Sequence, residues 1–255
     1  MPIARLGGML SLSGSVLRAL SGSPAVWRRE LLLHCVFILK VAALPIALSV
    51  AAWGFAGPGL QAGGFLATFG SVDRAGGFMV VAIVREFGTF VTGTVVAGVV
   101  GTTIVAELGA RRVRGELDAL RTLGVDPVAA IVAPRVLALV LMMMLLDVVA
   151  LVFGVAGGYV ASVGVLDGGS GAFVDSFFRN TTALDLVASI VKVGIFGALI
   201  GVICGFYGLT ATGGAEGVGR AVNRAVVGCL VAISVVNLLY TQWFLAEFPG
   251  VNVLR

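Results

Sequence analysis

Five stretches of the chain, near residues 32–57, 77–106, 128–163, 184–210 and 222–246, run almost without charge. Each exceeds the ~20 residues that a helix needs to cross the hydrocarbon core of a bilayer. The pattern predicts five transmembrane helices joined by short polar segments: residues 1–31, a Gly/Pro-containing loop holding Asp73 and Arg74, a charged island from Glu107 to Pro127, a connection with Asp167-Gly-Gly-Ser-Gly171, and a glycine-rich turn ending in Arg224. An odd number of spans puts the two termini on opposite sides of the membrane. Pro45 bends the first span rather than ending it. Thr182-Ala-Leu-Asp185 reads as a capping box that opens the fourth.

Two of the polar segments carry a helical period of their own. Residues 1–30 place Leu6, Leu10, Leu17 and Leu20 among Ser, Gly and Arg, followed by Pro24 and Trp27. That is the pattern of a helix lying on the membrane surface, or of a frayed tail. In the island, Val113, Leu117, Leu120 and Gly124 form one stripe, with Arg112, Arg114, Glu116, Asp118 and Arg121 around the rest. Arg112 with Glu116 and Arg114 with Asp118 stand at i,i+4 spacing. Gly124 suits a left-handed helix end, and Asp126-Pro127 an N-cap with a first-turn proline. A solvated loop explains the charges equally well. A simple connection, however, needs only a few residues, whereas ~15 residues near 110–125 make a separate helix of roughly 22 Å with an apolar edge suited to a groove.

Composition agrees with the spans: 59% of residues are hydrophobic and 12% charged, against about 25% charged in soluble domains. No polar stretch is long enough for a second domain. The net charge of +4 does not point to nucleic acid, because the cations follow topology. Arg5, Arg18, Arg28, Arg29, Arg111, Arg112, Arg114, Arg121, Arg135, Arg220 and Arg224 fall on one side, and Arg74, Arg179 and Arg255 on the other. The positive-inside rule therefore puts the N-terminus and the island in the cytoplasm and the C-terminus outside. Cys35, Cys204 and Cys229 lie in apolar runs without ligand spacing and read as small core residues. Gly197, Gly201 and Gly205, like Gly154 and Gly158, repeat every four residues and give smooth faces for close helix packing.

Charges within spans need partners, since one at a helix centre costs about 2.5–3.5 kcal/mol on insertion scales. Arg85 and Glu86 lie inside the second span and Lys192 inside the fourth. Neighbouring residues point about 100° apart on a helix, so Arg85 and Glu86 each seek another helix, and Lys192 is a plausible mate for Glu86. Two readings stay open: an inter-helix ion pair that only fixes packing, or a cavity in which Arg85 and Lys192 receive an anionic lipid headgroup. Asn237 is a further polar group in an apolar span. Asp147 is expected to be protonated or hydrogen-bonded to a neighbour.

Neither lysine, Lys40 or Lys192, follows a glycine, so the chain has no G-x-x-x-x-G-K-[ST] phosphate loop. Its one histidine, His34, rules out H-E-x-x-H and reads as a packed side chain. No active site or metal site is visible.

Arg85-Glu-Phe-Gly88, Ala106-Glu-Leu-Gly-Ala-Arg111, Glu116-Leu-Asp-Ala-Leu120, Gly124-Val-Asp-Pro127 and Pro134-Arg-Val-Leu-Ala138 form one block. Phe206-Tyr-Gly208, Gly213-Gly214 and Gly217-Val-Gly-Arg-Ala-Val222 form a second. Together they resemble the signatures of the MlaE/YrbE permeases, membrane subunits of lipid-transporting ABC systems, with the island closer to the YrbE branch that accompanies Mce proteins in actinobacteria. The resemblance implies an all-α membrane protein of five spans, a permease domain over 31–255 after an N-terminal segment over 1–30, and location in the bacterial plasma membrane. It implies that the island is a coupling helix, with Arg112, Val113, Arg114, Glu116, Leu117, Asp118, Leu120 and Arg121 facing a separate ABC ATPase. ATP and Mg would sit on that partner and no cofactor on this chain. It further implies a second homologous permease, Mce-type substrate-binding proteins, and a lipid pathway at Arg85, Glu86, Lys192 and Asn237. Thr89, where the family usually has proline, and Asn237, where the MlaE branch has a carboxylate, depart from the pattern. An ion-coupled carrier or channel, or a membrane scaffold without transport, are the rival readings.

Overall fold

The computed structural model describes residues 2–22 and 27–248, and among these every regular element is a helix. Pro24 and Arg255 lie outside the described residues. In chain order the helices are α1 (Pro2–Leu20), α2 (Arg28–Thr68), α3 (Val72–Val113), α4 (Glu116–Thr122), α5 (Val128–Val165), α6 (Ser170–Asn180), α7 (Ala183–Leu209) and α8 (Gly214–Glu247). Five of them, α2, α3, α5, α7 and α8, are long and apolar enough to span a bilayer.

The spans outrun the apolar runs that announce them. At 41 and 42 residues, α2 and α3 are rods of roughly 60 Å, about twice the thickness of the hydrocarbon core. The region after residue 54, rich in glycine and holding Pro58, reads as a loop yet stays helical through a π-helical turn, Phe55–Ala62. Its glycines are needed for contact rather than for bending. A side chain on Gly54 would strike the Gly154 carbonyl, and one on Gly59 would come within 2.6 Å of the Ala161 methyl. Further π-helical turns interrupt α3 at Val80–Phe87 and Ala97–Gly101. Helix α6 fills what the sequence presents as a connection, and α8 starts at Gly214 rather than near 222, because Gly213 and Gly214 take the positive φ angles that make the turn.

Residues fall into two compact units. One comprises Met1–Ala42, Val96–Met142 and Gly194–Ile233; the other comprises Ala43–Val95, Met143–Val193 and Ser234–Arg255. In the first, Ile38, Val100, Val105, Leu108, Leu139, Ile200, Cys204 and Cys229 are fully enclosed. Cβ atoms on Gly197, Gly201 and Gly205 would meet Leu139, Val136 and Val132 of α5 at 2.8–3.0 Å, so the glycine stripe of α7 is its packing face. Lipid tails are as apolar as leucine, so backbone approach and van der Waals contact have to hold such helices together. Cys204 and Cys229 stand with their sulfurs 3.7 Å apart as free thiols, small residues in a tight helix crossing.

In the second unit Ile46, Val50, Met79, Val80, Ile83, Met143 and Leu146 form the core. Gly154, Gly157 and Gly158 let α5 approach Val50 and Ala51 of α2 and Met79 of α3. Large apolar side chains elsewhere remain exposed, among them Leu44, Leu48, Trp53, Leu145, Val152, Val231, Leu238 and Trp243. On a soluble protein a surface like that would be an aggregation hazard; here it is the surface that meets lipid.

Candidate functional site

The polar residues of the second unit converge. Arg85 and Glu86 sit in the π-helical turn Val80–Phe87 of α3 and point to different partners. Arg85 Nε donates to Asp185 Oδ1 at 2.9 Å, and both side chains are nearly excluded from solvent. Asp185 serves twice. Its Oδ2 also accepts from the backbone N–H and hydroxyl of Thr182, at 2.9 and 2.8 Å, while its own N–H donates back to Thr182 Oγ1. The expected capping box is therefore present, and the same carboxylate neutralises a guanidinium on another helix.

Lys192 lies two turns further along α7 and is 2% exposed. Its ammonium has three protons and three acceptors: the Arg85 carbonyl, Asn237 Oδ1 at 3.2 Å and Thr241 Oγ1 at 2.8 Å. The Tyr240 ring centroid lies 5.6 Å from Nζ, and the Tyr240 hydroxyl donates to the Ala188 carbonyl. Asn237 Nδ2 in turn donates to Glu86 Oε2 at 2.6 Å. The direct Glu86–Lys192 pair expected from the sequence is thus replaced by a relay through Asn237, whose amide presents an acceptor to the cation and a donor to the carboxylate. Asp147, fully buried on α5, accepts from Ser189 of α7 at 2.7 Å. Thr89 bonds the Glu86 carbonyl through its hydroxyl, and the helix continues past it.

Two spaces adjoin the network. One, of about 10 Å³ and lined by Arg85, Asp185, Lys192, Tyr240 and Thr241, holds at most a single water. The other is a groove of about 670 Å³ walled only by apolar and aromatic side chains, including Leu151, Val155, Tyr159, Phe173, Phe177 and Ile190. Val84 lines both. The arrangement is a buried set of mutually satisfied charges at the edge of a slot wide enough for a hydrocarbon chain.

Arg85, Glu86, Lys192 and Asn237, singled out in the sequence, lie in one hydrogen-bonded cluster. Sequence reading missed Asp185 as a counter-ion, and Ser189, Tyr240 and Thr241 altogether. The signal was present: Asp185, Ser189 and Lys192 stand at i, i+4 and i+7 on α7, and Asn237, Tyr240 and Thr241 at i, i+3 and i+4 on α8, which puts each set on one helix face.

The island, in the first unit, is not one helix of fifteen residues. Helix α3 runs on to Val113, the chain reverses at Arg114 and Gly115, and α4 adds only 7 residues. Gly115 has φ 77°, a left-handed conformation that breaks the helix. The i,i+4 pairs drawn across this point accordingly do not form. Instead Arg112 donates to Asp118 at 2.7 Å, Arg114 to Glu116 at 2.6 Å, and Arg121 to Asp118 at 3.1 Å. The Arg114 guanidinium holds the Glu116 carboxyl below the usual carboxylate range. Leu117 is 1% exposed and Leu120 half-buried, so the middle of the predicted stripe faces the protein's own body, while its ends, Val113 and Gly124, stay exposed. The apolar side chains offered outward are Val113, Val125 and above all Leu123, 78% exposed. Behind them Glu107 accepts from both Arg111 and Arg135 at 2.8 Å, tying the end of α3 to buried Arg135 of α5.

The sequence profile of the family described as Permease MlaE matches residues 31–243. A probable ABC transporter permease protein of Rickettsia felis is 34% identical over 215 residues, which cover 84% of this chain and 83% of its own. A probable ABC transporter permease protein of Synechocystis sp. is 37% identical over 186 residues, 73% of this chain and 70% of its own. The chloroplastic protein trigalactosyldiacylglycerol 1 of Arabidopsis thaliana is 36% identical over 169 residues, 66% of this chain and 48% of its own.

Proposed function

Because this chain belongs to the MlaE permease family and is thereby a permease subunit of an ABC transporter, we propose that its cargo is lipid. The observation that carries the proposal is the apolar groove of about 670 Å³ with a charged cluster at its edge, joined through Val84. A lipid is the molecule that needs both surfaces: its acyl chain lies among Leu151, Val155 and Phe177, and its headgroup is met by Arg85 and Lys192. In the state described the two cations are satisfied internally, so receiving a headgroup requires Arg85 or Lys192 to exchange an internal partner for a lipid oxygen. Such an exchange is what a nucleotide-driven change of shape in the partner would supply. The relative named for trigalactosyldiacylglycerol, a glycolipid, lends support to lipid as the cargo class.

ATP and Mg are held by a separate ABC ATPase, which docks on the cytoplasmic segment around α4. The N-terminus lies on the same side, as the arginine distribution requires, and the protein resides in the bacterial plasma membrane. A second homologous permease completes the membrane unit, and Mce-type proteins receive or deliver lipid outside; both partners rest on the resemblance of the island to the YrbE branch.

The test is transfer of a fluorescent phospholipid by the whole complex in proteoliposomes. Transfer is expected with ATP and at background level with a non-hydrolysable analogue. Equal transfer in both would overturn the proposal in favour of a carrier driven by an ion gradient.

A further inference from the structure

We infer that the first unit contains a second basic site, a pocket for a phosphate-class anion built from Arg5, Arg220 and Arg224. The pocket has a volume of about 430 Å³ and includes Tyr207, Thr210 and Thr212 in its lining. Three guanidinium groups thus share one concavity with the Tyr207 phenol and the Thr212 hydroxyl, a donor set suited to phosphate oxygens, while the Thr210 hydroxyl is committed to the Phe206 carbonyl. Arg220 is paired with Glu216, four residues earlier on α8. Arg5 and Arg224 have no ion pair or hydrogen bond among the described residues, so two cations face the pocket without a counter-ion.

The glycines of the turn are part of the construction. A side chain on Gly217 would strike the Thr212 carbonyl, and one on Gly213 would come within 3.2 Å of Arg220 Nη2. Bare backbone at these positions lets the guanidinium lie against the turn.

Helix α1 sets the depth of the site. Its Leu12 and Val16 are buried, with Leu12 against the Gly205 position of α7 and Gly8 close to Phe206. At 100° per residue Arg5 falls between Leu12 and Val16 on the helical wheel, and its exposed side chain lines the pocket. Leu6, Leu10 and Leu17 cluster about 120° away and are 60%, 74% and 69% exposed. A helix with one leucine face against the protein and another uncovered lies at the membrane surface. An arginine on its inner flank stands at headgroup level, where basic pockets between membrane helices take anionic lipid. The ligand's chemistry is therefore a phosphate ester, presented by a lipid of the cytoplasmic leaflet. This site is independent of the groove in the other unit and of the transport reading.

Native mass spectrometry of the detergent-purified complex, titrated with dioleoyl phosphatidylglycerol or dioleoyl phosphatidylcholine, tests the inference. The wild type is expected to hold one phosphatidylglycerol in preference to phosphatidylcholine. The pair Arg5→Gln and Arg224→Gln should weaken that binding by about 30-fold, and the pair Arg5→Lys and Arg224→Lys, which keeps the charge and controls for folding, should retain most of it. Lipid retained in millimolar inorganic phosphate assigns the site to the headgroup, whereas displacement by phosphate assigns the same donors to a soluble phosphate. Unchanged phosphatidylglycerol affinity in the glutamine pair would overturn the site. Loss of the ATPase subunit from that pair with lipid binding intact would also overturn it, by making the surface a protein contact.

Discussion

Replacing Leu123 by aspartate is expected to strip the ATPase from the complex while leaving the permease folded. Leu123 follows α4 directly and is 78% exposed, and Val113 and Val125 flank it at 44% and 38%. Three apolar side chains held out beside a ring of arginines and carboxylates have the anchor-and-rim pattern of protein interfaces. A buried anchor of this kind costs at least about 2 kcal/mol when lost, or roughly 30-fold in affinity, and a carboxylate in its place adds the desolvation of a charge. The exposed ion pairs of Asp118 with Arg112 and Arg121 contribute at most about 1 kcal/mol each, so Asp118→Asn should weaken assembly far less. Leu117→Asp is a different experiment. It buries a carboxylate in the permease's own core, and loss of the permease itself is expected. Co-purification of the ATPase with a tagged permease separates these outcomes. Full retention with Leu123→Asp would remove the docking surface from the account.

The second large effect lies at Arg85. Arg85→Ala leaves the enclosed Asp185 carboxyl without its guanidinium, and breaking a buried pair from one side costs about 3–5 kcal/mol. The purified variant should therefore unfold at markedly lower temperature. Removing Asp185 as well withdraws the uncompensated charge. Arg85→Ala with Asp185→Ala should recover most of the stability, short of the capping contribution of Asp185 to α7, about 1 kcal/mol. Transport should not recover with it if, as proposed, Arg85 meets the lipid headgroup. A stable double variant that moves lipid at the wild-type rate would reduce Arg85 to a packing residue. Thermal unfolding and lipid transfer on the same preparations read both halves of the prediction.

These experiments also mark where sequence reasoning holds. The five spans were legible because lipid imposes composition: a helix in hydrocarbon must be apolar for about twenty residues, whatever it packs against. Arg85, Glu86, Lys192 and Asn237 were legible for the same reason, since a polar group in such a run stands out and must find a partner. Partner identity was not legible. Asp185 had an evident local duty as a cap, which hid its second one, and Asn237 bridges Glu86 and Lys192 only because α8 brings it between them.

The island failed in a more instructive way. The 3.6-residue spacing of its apolar residues is interrupted by a helix break, and periodicity says only that a helix has an apolar face and not what covers that face; Leu117 is covered by this chain. Gly115 lies inside the stretch expected to be one helix, whereas its positive φ ends one helix and starts another. The glycine-rich end of α2 was misread in the opposite direction. Glycines that look like a loop there are contact points against α5, and their helical conformation is held by tertiary packing rather than propensity.

Every functional step proposed above depends on an external ATPase gripping this permease at the segment around α4. The most direct measurement is site-specific cross-linking in the assembled complex, with a photoreactive residue at position 123 and a control at exposed Leu145 on α5. A nucleotide-sensitive adduct with the ATPase is expected from position 123 and none from position 145. An active complex that yields no ATPase adduct from position 123 would contradict docking there.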